Sequence, residues 1–109
     1  MIKQEISADT NECKIFIAGN YDDILRECKA YCTETSYCVS TQKTDFPYKF
    51  GCESGATITL INYPRFPLSP ESIFDRAKEL GQRLMVVANQ GSYTIQTPIH
   101  TYFFSRREQ

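Results

Sequence analysis

Five cysteines and a single histidine are the side chains in this 109-residue chain best suited by type to metal binding or nucleophilic chemistry. Cys28 and Cys32 stand four residues apart, so on a helix their sulfurs share a face, with Cys38 close in sequence and His100 as a fourth donor. Structural zinc draws on two compact Cys-x2-4-Cys knuckles, and Cys13, Cys52 and His100 have no such paired spacing. Small buried hydrophobes are therefore the favoured reading of the cysteines, with no metal and no cofactor expected. A cysteine nucleophile needs a base, and the one imidazole, His100, reads better as a hydrogen-bonded or solvated edge-strand residue. No serine-centred elbow or phosphate-cradling glycine loop is present. The chain is expected not to be an enzyme, although a small chain can hide a site assembled in an oligomer.

Two segments carry binding rather than catalytic signals. In Asn62-Tyr63-Pro64-Arg65-Phe66-Pro67-Leu68-Ser69-Pro70, three prolines stiffen the backbone and set Arg65 between two aromatics, just before a helix start. Free amides of the first turn after Ser69 and the positive helix end favour an anion, Arg65 offers a bidentate fork, and Tyr63 or Phe66 can stack on a base. The alternative is a rigid connection with a serine cap and Phe66 in the core. In the second segment Phe46, Tyr48 and Phe50 interleave with Lys43 and Lys49, as in a protein interface, or pack beneath a loop. Arg106 and Arg107 read as a solvated tail.

The phrase Leu60-Ile61-Asn62-Tyr63-Pro64-Arg65-Phe66-Pro67, followed by a helix and then Phe104-Ser105-Arg106-Arg107, resembles uncharacterised small proteins of temperate phages and prophages. The resemblance covers the C-terminal half and transfers no functional residue. It implies an accessory protein, of which inhibitors of host defence that bind a protein or a signalling nucleotide are one kind.

The elements that must position these residues are readable in outline. Ile2, Gln4 and Ile6 suit a short first strand or an arm, and Cys13 to Ala18 a mostly buried strand closed by Gly19-Asn20. Asn20 can cap a helix from about Tyr21 to Thr33, with Ile24, Cys28, Tyr31 and Cys32 on its packed face. Strands are expected over Tyr37–Gln42 and Ala56–Tyr63, separated by a Pro- and Gly-broken loop over Thr44–Gly51. Ser69-Pro70-Glu71 has the cap, first-position proline and early acid of a helix start. Ile73, Ala77, Leu80, Leu84, Val87 and Ala88 keep one phase, which favours a single helix to about Ala88 over one ending near Gly81 with a strand after it. Ser92–Thr97 and Ile99–Ser105 close the chain as two strand-like runs. This order predicts an α+β fold, two helices on one face of a mainly antiparallel sheet, with a ferredoxin-like arrangement as the leading topology and one domain over residues 1–109.

Composition narrows the partners. Twelve Lys and Arg against thirteen Asp and Glu leave a net charge of −1, so no global basic field gathers phosphate backbones and general nucleic-acid binding is disfavoured. The odd cysteine count and a charged start without an apolar run predict a reducing, cytoplasmic setting, and no apolar run approaches a membrane span. The leading expectation is a non-enzymatic binding or inhibitor protein acting on a protein partner through Lys43, Phe46, Tyr48, Lys49 and Phe50, with a symmetric homodimer sharing a sheet edge or helix face as one arrangement. The rival is a binder of a small anionic or nucleotide ligand at Tyr63, Arg65, Phe66 and Ser69. A thiol- or metal-dependent enzyme ranks last.

Overall fold

A computed structural model describes residues 1–107. The element order is β1 (Glu12–Ala18), α1 (Tyr21–Thr35), β2 (Ser40–Tyr48), β3 (Gly51–Ile61), α2 (Pro70–Val87), β4 (Ser92–Gln96) and β5 (Thr101–Ser105). The five strands form one sheet in the order β2-β3-β1-β4-β5, and every neighbouring pair is antiparallel. The first four strands and two helices have the expected ferredoxin-like arrangement, and β5 extends the sheet beyond β4.

Alternation along the strands decides which face the helices cover. Cys13, Ile15 and Ile17 of β1 are buried, as are Ala56, Ile58 and Leu60 of β3 and Tyr93 and Ile95 of β4. They meet Ile24, Cys28 and Tyr31 from α1 and Ile73, Ala77, Leu80 and Leu84 from α2 in one core. Lys14, Phe16, Thr57, Thr59 and Thr94 alternate onto the other, half-open face. Arg83 of α2 joins the helices by donating from Nε to Glu27 at 2.7 Å and from a terminal nitrogen to Glu34 at 2.5 Å.

The helix ends follow their local chemistry. The Asn20 side chain accepts from the Asp23 N–H at 3.0 Å, starting α1. The α2 stripe keeps its phase through Gly81, so the single long helix forms, and it closes with Asn89 left-handed and the Gln90 N–H bonded to the Met85 carbonyl at 2.9 Å. Gly81 is buried because the Tyr93 ring lies where a Cβ would project.

Two local expectations change, and one pair of alternatives is decided. Residues 1–11 form no strand, and Ile2 and Ile6 stand exposed, so this segment is an arm. The Thr44–Gly51 loop is instead the far end of a long hairpin: β2 and β3 pair to Tyr48↔Gly51 across a two-residue turn, Lys49-Phe50, with Phe50 at φ 75°. Pro47 is tolerated because β2 is an edge strand, which needs no N–H on its outer side. Strand β2 begins at Ser40 rather than Tyr37.

All five cysteines are free; Cys13 and Cys28 are buried, whereas Cys38 and Cys52 are exposed. Burial, with smaller help from Glu12, pushes the Cys13 thiol up to about 11. Burial again, then Cys32 and Glu27, pushes Cys28 up to about 12. Folding therefore favours the neutral thiols: their contribution is intact below the ordinary value of 9.0 and is lost as pH rises toward 11–12. Alkylation at about pH 8 should label Cys38 and Cys52 quickly and Cys13 and Cys28 only through opening of the fold, while urea midpoints should drop from about pH 9 upward. Rapid labelling of Cys13 or Cys28 would contradict the packing. For Gly81→Ala, alanine's helix preference of about 1 kcal/mol opposes an overpacking cost of about 1–3 kcal/mol against Tyr93. Urea denaturation should show a net loss of up to about 2 kcal/mol, and a gain would mean that the ring yields freely.

Candidate functional site

The topology gathers three strand ends at one end of the sheet. Because β3 and β4 run antiparallel to β1, their C-terminal ends flank its beginning: Glu12 pairs with Ile61, and Lys14 with Gln96. The chain leaving β3 turns there into α2, and the arm enters there. Between them lies a cleft of about 730 Å³, more than twice any of the shallow grooves of 260–350 Å³ elsewhere on the described surface. Its size suits a small-molecule site, which typically occupies about 300–1,000 Å³.

One wall is the start of α2. The Ser69 side chain accepts from the Ser72 N–H at 3.1 Å, and Pro70 occupies the first helical position, so the first turn that carries Glu71 is fixed on both counts. The second wall is aromatic and aliphatic. Phe74, one turn along α2, packs against Tyr102 with centroids 4.8 Å apart, and Leu68 and Pro67 adjoin them. The rim is the β4–β5 turn, Thr97, Pro98 and Ile99, closed by Thr97 N–H donating to the His100 carbonyl at 2.8 Å. The third wall is the arm, Ser7 to Asn11, with Asn62 at its foot.

Charge in the cleft is one-sided. Asp9 and Glu71 line it, and no Lys, Arg or His does so among the described residues. Neither carboxylate forms an ion pair there, since the described pairs involve other residues. The positive end of α2 contributes about half an elementary charge, which is less than two carboxylates supply. The lining thus favours a cation with an apolar, ring-bearing body.

The residues singled out from sequence fall in different places. Ser69 lines the cleft; Tyr63, Arg65 and Phe66 do not. Tyr63 turns toward the opposite side, its hydroxyl 3.5 Å from the Cys38 sulfur and its ring edge-on to Tyr37, while exposed Arg65 lies over the Phe66 ring at 5.7 Å. Lys43, Phe46, Tyr48, Lys49 and Phe50 share the hairpin but not a surface. Lys43 faces the helices beside the Tyr21 ring, Phe46 alternates onto the open face, and Tyr48 and Phe50 stand exposed at the tip with Lys49 over Phe50. Cys28, Cys32 and Cys38 border one shallow groove near β2, whereas His100 precedes β5 at the other edge of the sheet. Among the described residues no group of three or more His, Cys, Asp or Glu is placed to hold a metal ion.

Asn62, Glu71, Phe74 and Tyr102 line the cleft without having been singled out as candidate site residues from sequence. Glu71 was visible only as an early acid of a helix start. That β4 and β5 bring Tyr102 beside Phe74 depends on strand order, which no local pattern encodes.

No protein-family model matches the chain, and no curated protein matches it. Two solved structures share its fold from end to end. A phage SAM lyase in complex with S-methyl-5'-thioadenosine aligns with a TM-score of 0.72 at 14% identity, over 99% of this chain and 100% of that one. A phage SAM lyase in the apo state aligns with a TM-score of 0.74 at 14% identity, over 100% of this chain and 99% of that one. Both neighbours are phage proteins, in keeping with the phage-type resemblance in the sequence. They overturn the leading functional expectation, a non-enzymatic inhibitor of a protein partner: both of these neighbours are SAM lyases, and one of them is in complex with S-methyl-5'-thioadenosine. Cysteine and histidine are the residue types that local patterns single out for catalysis, whereas the cleft is lined by carboxylates and aromatic rings. Among the described residues no helix is long and apolar enough to cross a membrane.

The cap at the head of the cleft is testable by itself. Ser69→Ala should cost about 1 kcal/mol of stability in urea denaturation, and Ser69→Asp should restore most of it, because either oxygen can accept the Ser72 N–H. Equal stability of all three proteins would mean that the cap does not hold the first turn.

Proposed function

We propose that the chain binds S-adenosylmethionine in this cleft and cleaves it to S-methyl-5'-thioadenosine, as a lyase. The observation that carries the proposal is a cleft of nucleoside size whose charged lining, among the described residues, is Asp9 and Glu71, beside the Phe74 and Tyr102 rings. A sulfonium ion needs an anionic, partly dry surrounding, and an adenine ring needs a flat apolar face. The likeness to the phage SAM lyases supports the same ligand class.

The chemistry asks little of the protein in acid catalysis. The sulfonium sulfur leaves as a neutral thioether, taking the carbon–sulfur bonding pair with it. The electrons that replace that pair on the four-carbon chain come from the substrate's own carboxylate or from a C–H bond whose proton a base removes. Glu71 is the side chain we assign to this step. It sits on a turn fixed by the Ser69 cap and Pro70, and its carboxylate can take a proton or hold the sulfonium in place while the substrate folds on itself. Phe74 and Tyr102 are assigned to the adenine, and Ser69 and Asn62 to polar groups of the ribose or amino-acid chain.

Incubation of the protein with S-adenosylmethionine, followed by chromatography and mass analysis, should show S-methyl-5'-thioadenosine accumulating in step with substrate loss. Glu71→Gln should slow this about 100-fold or more, in the range of a lost general base or charge stabiliser, with the far-ultraviolet dichroism unchanged. Product formed equally fast by the variant would remove Glu71 from the step. No product and no binding by the wild type would refute the proposal.

A further inference from the structure

The cleft's walls differ in construction. The α2 wall is capped and packed, whereas the arm has no helix or strand of its own. Among the described residues, both hydrogen bonds that fasten residues 1–11 to the body come from Asn62. Its backbone N–H donates to the Asn11 carbonyl at 3.0 Å, and its Nδ2 donates to the Asp9 carbonyl at 2.8 Å. The same amide's Oδ1 accepts from the Leu68 N–H at 2.8 Å. One half-buried side chain therefore ties the arm to the loop that leads into Ser69. The role requires a donor and an acceptor on one short planar group, which asparagine supplies.

What the latch holds in place is a charge. Asp9, on the arm, lines the same cleft as Glu71 and makes no ion pair among the described residues. Glu71 is placed by its helix whatever the arm does; Asp9 is placed only while the arm is fastened. Resting on the proposed function, we infer that Asn62 is a positioning residue that latches the arm across the cleft, and that the latched Asp9 carboxylate is the specificity determinant that makes the cleft prefer a cation at the sulfur position over a neutral thioether of the same shape. Such a preference would also help a product thioether to leave.

Two inert probes isolate the charge: sinefungin, in which a carbon bearing an ammonium replaces the sulfonium and its methyl group, and S-adenosylhomocysteine, which is neutral there and keeps the same amino-acid chain. Calorimetric titration of both gives a preference ratio. In the wild type, Asp9→Asn should lower that ratio roughly two- to fivefold, the scale of one solvent-exposed charge pair, by weakening sinefungin and sparing S-adenosylhomocysteine. Asn62→Ala should lower it equally, and Asp9→Asn added to Asn62→Ala should change nothing more, because without Nδ2 only the backbone bond to Asn11 remains and the segment carrying Asp9 is released. If Asn62→Ala does not fold, Asn62→Asp keeps the acceptor for Leu68 and loses the donor to Asp9, and the same silence of Asp9→Asn is expected in its background. An Asp9→Asn effect of equal size in both backgrounds, or no effect on the ratio in either, overturns the inference while leaving the ligand class standing. A wild type that binds neither probe overturns the ligand class and this inference with it.

Discussion

A row of three isoleucines holds the molecule together. Ile15, at the middle of β1, pairs with Ile58 of β3 on one side and Ile95 of β4 on the other, and all three are fully buried beneath the helices. A slip of one residue on either side would turn a whole strand's apolar set outward, so this row fixes the register of the central three strands. Everything at the cleft end inherits that register. The end of β3, the beginning of β1 and the end of β4 meet because the isoleucines align, and the first turn of α2 starts beside them because Ile73, Ala77, Leu80 and Leu84 must lie over the same core.

The cleft is thus a by-product of core packing, furnished by residues the core does not use. Phe74 and Tyr102 are only partly withdrawn from solvent, since they sit where the helix layer ends and β5 begins. Glu71 and Asp9 are exposed carboxylates on backbone of opposite character, one helical and one irregular. This division suits a site that must hold a charged substrate rigidly at the reacting bond and still exchange it with solvent. A rigid capped turn favours orientation, and a lightly fastened arm favours access.

Much of the fold was legible in the sequence, and the reasons are local. Ser69-Pro70-Glu71 announces α2, Asn20 with Asp22 and Asp23 announces α1, and the unbroken stripe from Ile73 to Leu84 outvoted Gly81. The glycine argued for a break because its partner, Tyr93, lies in another strand and leaves no local signal. The hairpin tip was read as a loop because Pro47 and Gly51 signal turns, while an edge strand can carry a proline at no cost to the ladder. The cleft was far less legible. Ser69 was noticed for its cap, but Asn62, Phe74 and Tyr102 come to line the cleft only through strand order, and Arg65, prominent in sequence, lies outside a cleft whose charged lining among the described residues is acidic.

The central claim is that the adenosine-bearing ligand occupies the cleft at the head of α2. Amide chemical-shift mapping with S-methyl-5'-thioadenosine tests it most directly, since this neutral product is stable and needs no turnover. The account expects saturable shifts at Asn62, Ser69 to Phe74 and Thr97 to Tyr102, with the hairpin tip unmoved. Shifts centred on Phe46 to Phe50, or on the groove beside Cys32 and Cys38, would contradict it.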